Sequence, residues 1–244
     1  MNTKGMIMIA LGLGTTSAMA GIAGTTVVDF EDGTTQGWEG PQGPGGNSFI
    51  DNTAGVGGGA GYRTQFNNFG ITFANSTNAA FTGDFSGFDS VTFGVDVRVD
   101  QIGTFLPVSR PWVVELRSHS LAQGGFPWTS VYFVLDNISQ SNNADYQSYS
   151  VTIDPTSGML PAGWGGYGAE DPMTFEPILP DGVTFADVLA DVDEIAFTTL
   201  QPGFFFSFDD YDVTLDNISV TATPTPGALA LLGLSGIAGT RRRR

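Results

Sequence analysis

The sequence predicts an all-β protein, folded as an antiparallel sandwich of two sheets. Large apolar side chains alternate with polar or small ones from Val91 to Val99, and residues 112–117 repeat this period of two. Turn-forming residues separate the alternating segments, and the chain contains 34 glycines. Short alternating segments between turns, with almost no helical pattern, are typical of two packed antiparallel sheets.

The remaining elements follow from their local patterns. The glycine-rich segment 33–61 predicts surface loops around a short strand near Phe49 and Ile50. One helix is expected from Phe185 to Ala190, because Thr184 is a suitable N-cap and Asp187 follows it at the spacing of a capping box. The later strands are expected at 131–135, 149–153, 195–199, 204–208 and 213–220.

The strand at 112–117 has one apolar and one polar face. Its alternation predicts that Trp112, Val114 and Leu116 face the core. Glu115 and Arg117 are expected on the solvent face. Trp38, beside another strand-like segment, is also expected in the core.

The N-terminus predicts export. Lys4 provides a positive region, Met6 to Leu13 an apolar stretch, and Ala18 to Ala20 a small-x-small cleavage site. We expect cleavage after Ala20. The chain therefore divides into a signal peptide (1–20), a sandwich domain (21–222) and a C-terminal tail (223–244).

The tail combines a proline hinge, a short apolar segment and a basic end. As a helix, Gly227 to Thr240 would be about 21 Å long, shorter than the roughly 30 Å hydrocarbon core of a bilayer. The segment suits a transient hold on the membrane, and the terminal arginines favour the cytoplasmic side. The hinge and the basic end are Pro224, Thr225, Pro226, Arg241, Arg242, Arg243 and Arg244.

This order of features resembles the PEP-CTERM sorting signal of Gram-negative bacteria. Thr225 stands where that family usually has Glu. The resemblance covers about a tenth of the chain and concerns location rather than activity. It implies processing by an exosortase-type enzyme, transient inner-membrane association, and a final place at the cell surface or in the extracellular matrix.

The body of the chain is strongly acidic once the two ends are set aside. Of the nine Lys and Arg residues, five lie in the ends, leaving four arginines against all 25 acidic residues, a formal charge of −21. Such a surface repels nucleic acid and anionic lipid, so no nucleic-acid partner is expected. The four arginines of the body are Arg63, Arg98, Arg110 and Arg117.

Three segments of the body resemble galactose-binding-like jelly rolls, the fold of many carbohydrate-binding modules. Val27 to Gly33, followed by Gly37 and Trp38, is similar to their opening strand. Phe85 to Phe93 is similar to the turn and central strand, and Val213 to Val220 to the closing strand. The resemblance implies a jelly-roll sandwich and, for its function, carbohydrate binding.

The jelly-roll resemblance also implies a structural calcium site joining the first and last strands. Glu31 and Asp216 occupy the matching positions, with Asp29 or Asp51 as possible additions. The chain has no cysteine, so calcium would replace disulfides as a brace, held by the oxygen ligands that it prefers. The alternative is that these carboxylates are solvated. The acidic run 209–212 lacks the order of a calcium-binding loop and is expected to form an exposed turn.

Candidate sugar-binding residues are aromatic side chains in Gly- and Pro-rich segments. Trp128, Trp164 and Tyr167 lie in such segments, where rings either stack on sugars or pack beneath loops, and both roles remain open. Catalysis has little support, because His119 is the one histidine and no Gly-x-Ser-x-Gly motif occurs.

We therefore expect an exported, non-enzymatic surface or matrix protein whose jelly roll binds glycan or exopolysaccharide. One alternative is a purely structural component of the envelope or matrix. A polysaccharide hydrolase is the third hypothesis.

Overall fold

The computed structural model describes residues 23–225, so the expected signal peptide (1–20) and most of the tail lie outside the described residues. Two six-stranded antiparallel sheets form an all-β jelly-roll sandwich, which confirms the predicted fold class. The strands are β1 Gly24–Val28, β2 Trp38–Glu39, β3 Gly46–Asp51, β4 Gly61–Asn68, β5 Thr72–Asn75, β6 Phe88–Ile102, β7 Arg110–Ser118, β8 Thr129–Ile138, β9 Gln147–Ile153, β10 Trp164–Tyr167, β11 Ala169–Glu170, β12 Pro177–Ile178, β13 Glu194–Thr198 and β14 Asp209–Pro224.

The first sheet is organised around β14. The order is β3-β4-β14-β6-β9, and β1 also pairs with β14. Strand β6 follows β14 along one side, whereas β4 pairs with its first half and β1 with its second half on the other side. Near Asn217 the register with β6 shifts, and Asn217 adopts a left-handed φ of 48°. This irregularity is a β-bulge in the middle of the sheet.

The second sheet has the order β10-β8-β7-β13-β5-β2. Along each strand of this sheet, side chains alternate between the inner and the outer face, as the pleat requires. Across the strands, one register position puts large apolar side chains on the inner face, and the next puts mostly polar or small side chains on the outer face. In the outer row, Tyr132 lies opposite both Gly165 and Glu115. The short strands β11 and β12 form a separate hairpin after β10.

The core lies between the two sheets and is rich in aromatic rings. The alternating apolar residues from Val91 to Val99 are all buried, as are Trp38 and Trp112, which confirms these core assignments. The Trp38 ring contacts Phe81 and Phe197 at centroid distances of 5.4 and 5.8 Å. Burying each such side chain contributes about 1.5–3 kcal/mol before conformational entropy is subtracted.

The predicted helix is present as α1, Phe185–Leu189, and its N-terminus has the expected cap. The Asp187 amide donates to Thr184 Oγ1 at 3.2 Å, and the Thr184 amide donates to Asp187 Oδ2 at 2.8 Å. This reciprocal pair is a capping box with Asp in place of Glu. Phe185, Val188 and Leu189 are buried and attach the helix to the core.

The strand expected at 204–208 is wrong. These residues form a loop, and Phe204, Phe205 and Phe208 are exposed instead of packing in the core. The Arg110 guanidinium holds the loop, with Cζ 5.0 Å from the Phe206 ring and Nη2 3.0 Å from Ser207 Oγ. The opening strand also differs from expectation, since β1 ends at Val28.

The acidic run 209–212 is not an exposed turn, as expected, but the start of β14. Asp209 is buried and pairs with Arg110. Asp212 accepts hydrogen bonds from Arg63 Nε and Nη2, each at 2.7 Å. Arg63 of the neighbouring strand β4 and Arg110 of the second sheet therefore compensate two of these carboxylates, which lets the run enter the sheet.

Strand β7 departs from the prediction on its polar face. All nine of its residues are buried, including Glu115 and Arg117, which were expected to face water. Residues from β13 and from the segment before β8 cover this face, as described below.

At the C-terminal end, β14 includes Pro224, the first residue of the expected sorting hinge, and Thr225 follows it. Pro226 and the arginines Arg241, Arg242, Arg243 and Arg244 lie outside the described residues. Within residues 23–225, no helix has the length and apolar character needed to cross a bilayer.

Candidate functional site: an aromatic platform on the second sheet

Partly exposed aromatic side chains gather on the outer face of the second sheet. The rings of Trp128 and Tyr167 are 6.1 Å apart, and Phe126 lies 5.4 Å from Tyr167. Trp128 immediately precedes β8 and Tyr167 ends β10, where it pairs in register with Ser130. The antiparallel pairing of β8 and β10 thus brings together residues that are about forty positions apart in the chain. We call Phe126, Trp128 and Tyr167 the aromatic platform.

A buried carboxylate lies beneath the platform. Glu115 Oε1 accepts hydrogen bonds from Trp128 Nε1 at 3.0 Å and from Ser130 Oγ at 2.6 Å. Its Oε2 accepts from Arg117 Nε at 2.9 Å and Nη2 at 2.6 Å. Four donors satisfy this carboxylate, so its burial on the sheet is compensated. The network fixes the edge of the Trp128 indole.

Arg117 fixes the face of the same indole. Its Cζ lies 4.3 Å from the ring centroid of Trp128, a cation–π contact. Nη1 donates to Glu194 Oε1 at 2.5 Å. Burial opposes the charge of Arg117, but Glu115 and Glu194 more than offset it and raise its pKa. The guanidinium therefore stays charged, and the exposed part of Trp128 lies away from it.

Trp164 does not belong to this platform. The sequence placed it in a loop, but it begins β10 and is 8% exposed, with its ring 5.2 Å from Phe185 and 5.5 Å from Phe133. Trp164 and Tyr167 are three residues apart on one strand, so they point to opposite faces of the sheet. Trp164 therefore lies in the core.

Sequence reasoning did not include Phe126, Glu115 or Arg117 in the candidate site. In the sequence, a charged pair two residues apart on a strand predicts a solvent-exposed face. Its residue types do contain a signal, because an Arg and a Glu on one face of a strand can stack under an aromatic ring. Which ring covers them depends on the pairing of β7 with β8, which no local pattern shows.

The expected calcium pair, Glu31 and Asp216, meets at one loop. Asp216 is 3% exposed, and its Oδ2 accepts from the Val56 amide at 2.7 Å. Glu31 Oε1 accepts from the Ala60 amide at 2.9 Å. Burial raises the pKa of Asp216, and the negative charges of Asp96 and Glu31 raise it further. Both carboxylates thus hold the segment 56–60 against the start and end of the sandwich.

The two possible additions to this pair lie in different surroundings. Asp29 Oδ1 accepts from the amide of Glu31 at 3.3 Å, and so lies beside the pair. Asp51 instead forms an ion pair with Arg63 at 3.1 Å. Among the described residues, no group of three or more His, Asp or Glu side chains is arranged to hold a metal ion.

No family model and no curated protein matches the sequence. Among solved structures, the chain is similar to the CBM22-1–GH10 modules of Clostridium thermocellum xylanase 10B complexed with xylohexaose, with 11% identity and a TM-score of 0.47 over 82% of this chain and 29% of that chain. It is similar to the CBM22-1–CBM22-2 tandem domain of Paenibacillus barcinonensis Xyn10C, with 13% identity and a TM-score of 0.49 over 81% of this chain and 49% of that chain. A xylan-binding domain from CBM 22 gives 12% identity and a TM-score of 0.43 over 83% of this chain and 97% of that domain. This chain spans less than half the length of the first two.

Proposed function

We propose that the chain is an exported, non-enzymatic protein whose sandwich binds an uncharged polysaccharide on the aromatic platform. The observation that carries this proposal is the position of Trp128, whose face packs on the Arg117 guanidinium and whose Nε1 edge is bonded to the Glu115 carboxylate. A rigid, partly exposed ring beside Tyr167 offers apolar area to the C–H face of a sugar at little entropic cost.

The charges of the domain favour an uncharged ligand. Every arginine of the described residues is already ion-paired with an Asp or Glu carboxylate, and residues 23–225 contain no lysine. A uronate or sulfate group would find no free cation there and would meet the acidic surface of a body with formal charge −21. The hydroxyl groups of a neutral sugar chain avoid this repulsion.

Affinity gel electrophoresis of the 21–225 domain tests the proposal, with xylan, mixed-linkage β-glucan, mannan, agarose and the anionic alginate in the gel. We expect retardation by at least one neutral polymer and none by alginate. Trp128→Ala should abolish the retardation. Phe105→Ala is the matched control, because Phe105 is a fully exposed ring outside the platform. Unchanged mobility of the wild-type domain in all gels would refute the proposal.

A second proposed role is a calcium brace, favoured by the buried carboxylate of Asp216 and the nearby exposed carboxylate of Glu31, whose negative charge raises the pKa of Asp216. The donor set fits, because both side chains provide hard carboxylate oxygens, the kind of ligand that calcium prefers. A bound cation would supply positive charge next to the buried carboxylate of Asp216. Glu31 and Asp216 would hold it while they anchor the segment 56–60.

Thermal unfolding in excess calcium and in chelator tests the brace. We expect calcium to raise the Tm of the wild-type domain and to have no effect on Glu31→Gln. Asp51→Asn should keep the calcium shift, because Asp51 pairs with Arg63 instead. Equal Tm values of the wild-type domain with and without calcium would overturn this role.

For localisation, we propose that the tail directs the exported chain to an exosortase-type enzyme and then to the cell surface or extracellular matrix. The tail supports this through its hinge at 224–226 and its four terminal arginines. Expression of the full chain in an exosortase-containing host tests it by mass spectrometry of the mature product. Replacing Arg241 to Arg244 by serine should leave the tail uncleaved, and normal processing of that variant would contradict the proposal.

A further inference from the structure

A cleft opens on the same outer face as the aromatic platform, between two loops. Its walls are the turn after β11 and the loop after β13, and its volume is about 380 Å³. Phe175 stands on the first wall and Phe204 on the second, with Tyr132 from β8 in the same lining. The two phenylalanines are 72% and 58% exposed, so both rings are largely free for contact.

The two walls are locked against each other. Gly203 lies so close to Pro177 that a Cβ added at Gly203 would be 2.7 Å from the proline Cδ. The first turn is closed by the amide of Phe175, which donates to the Asp171 carbonyl at 2.8 Å, and by the Asp171 amide, which donates to the Glu176 carbonyl at 2.9 Å. These contacts fix the two loops relative to each other, so the cleft between them has a defined shape.

Phe175 is held outward at a conformational cost. Its φ is 58°, a left-handed value that bulky residues rarely adopt and that glycine adopts at lower cost. The ring makes no contribution to the core, since it is mostly exposed. An exposed aromatic ring on a strained backbone is explained more simply by contact with a ligand than by packing.

The cleft and the platform lie on the same face of the second sheet. Tyr132 pairs in register with Glu115, the carboxylate that holds Trp128, and it stands two residues from Ser130 on β8. The Tyr132 ring lies across Gly165, where any Cβ would overlap it, and so extends toward the first wall. Burial raises the pKa of Tyr132, as do the charges of Glu115 and Glu176, so its hydroxyl remains a neutral donor and acceptor.

We propose that the cleft of Tyr132, Phe175 and Phe204 is a second sugar subsite that binds further residues of the polysaccharide chain held by the platform. This inference rests on the proposed function. The phenyl rings face the apolar sides of the sugar. In the same lining, the Thr174 hydroxyl donates or accepts hydrogen bonds with the sugar hydroxyl groups, and the Glu176 carboxylate accepts them.

Titration calorimetry with size-fractionated hydrolysates of the retained neutral polysaccharide tests the subsite. The Phe175→Ala/Phe204→Ala variant should bind the shortest oligosaccharides like the wild type, and long ones about tenfold more weakly, which is the effect of two lost stacking contacts. Phe205→Ala is the matched control, because Phe205 is fully exposed in the same loop and does not line the cleft.

The outcomes separate this inference from the proposed function. Loss of all binding in Trp128→Ala, together with unchanged affinity of the double variant for long oligosaccharides, would overturn the subsite alone. An equal loss in Phe205→Ala would overturn it as well. Failure of the wild-type domain to bind any neutral polymer in the gels would overturn both.

Discussion

The buried carboxylate of Glu115 provides the sharpest test of how the platform is built. Glu115→Gln keeps the shape of the side chain and removes the charge that Arg117 Nε and Nη2 contact at 2.9 and 2.6 Å. Removing one charged partner of a buried ion pair lowers the free energy of unfolding by about 3–5 kcal/mol. Because Glu194 still contacts Arg117, we expect a loss of about 3 kcal/mol in the free energy of unfolding, or a fall of about 6–12 °C in Tm.

Urea denaturation followed by tryptophan fluorescence measures this loss. Glu194→Gln is the matched control, since it removes the other carboxylate of the same arginine from a more exposed position, and should cost about 1 kcal/mol. A change below about 1 kcal/mol for Glu115→Gln, or equal effects of the two variants, would refute the view that a buried charge network supports Trp128.

Two further predictions concern local structure. Thr184→Ala should destabilise the domain by about 1 kcal/mol at pH 7 through loss of the helix cap. The Thr184 hydroxyl and amide lower the pKa of Asp187 below its ordinary 3.8, so the part of the stabilisation that comes from the Asp187 carboxylate is present above pH 3.8 and is lost as the pH falls through the lower folded-state pKa. The urea midpoints of the two proteins should therefore differ less in strong acid, and a difference that is independent of pH would contradict the capping box. Gly165→Ala should displace the Tyr132 ring and cost about 1–3 kcal/mol by overpacking, whereas Gly158→Ala, with open space around it, should show no such loss in the same denaturation experiment.

Much of the fold could be predicted because strand alternation is a local property. The strands around Val91 to Val99 and the capped helix at Phe185 each follow from a few adjacent residues, and the structure has them where expected. The prediction of a strand at 204–208 is wrong for the same reason. Apolar content alone does not distinguish a strand from a loop that is held by contacts with a distant residue, here Arg110. These contacts join residues about a hundred positions apart, so no local pattern contains them.

The candidate site was predictable only in part. Trp128 and Tyr167 could be proposed from their glycine-rich surroundings, but Trp164 has similar surroundings and lies in the core. The difference arises because Trp164 and Tyr167 point to opposite faces of β10, and this four-residue strand is too short to recognise in the sequence. Glu115 belongs to the site because β7 pairs with β8, and that pairing is determined by the tertiary structure and not by local sequence.

Strand β14 has a consequence for the order in which the protein can fold. Its 16 residues lie centrally in the first sheet, yet they come last among the described strands. Strands β1 and β4 share no neighbour except β14. Strands β1, β3 and β4 therefore cannot join the rest of the first sheet until residues 209–224 are in place. Such long-range pairing slows folding. Shortening the chain within β14 would therefore separate β1 and the β3–β4 pair from β6 and β9, dividing the first sheet instead of trimming one edge.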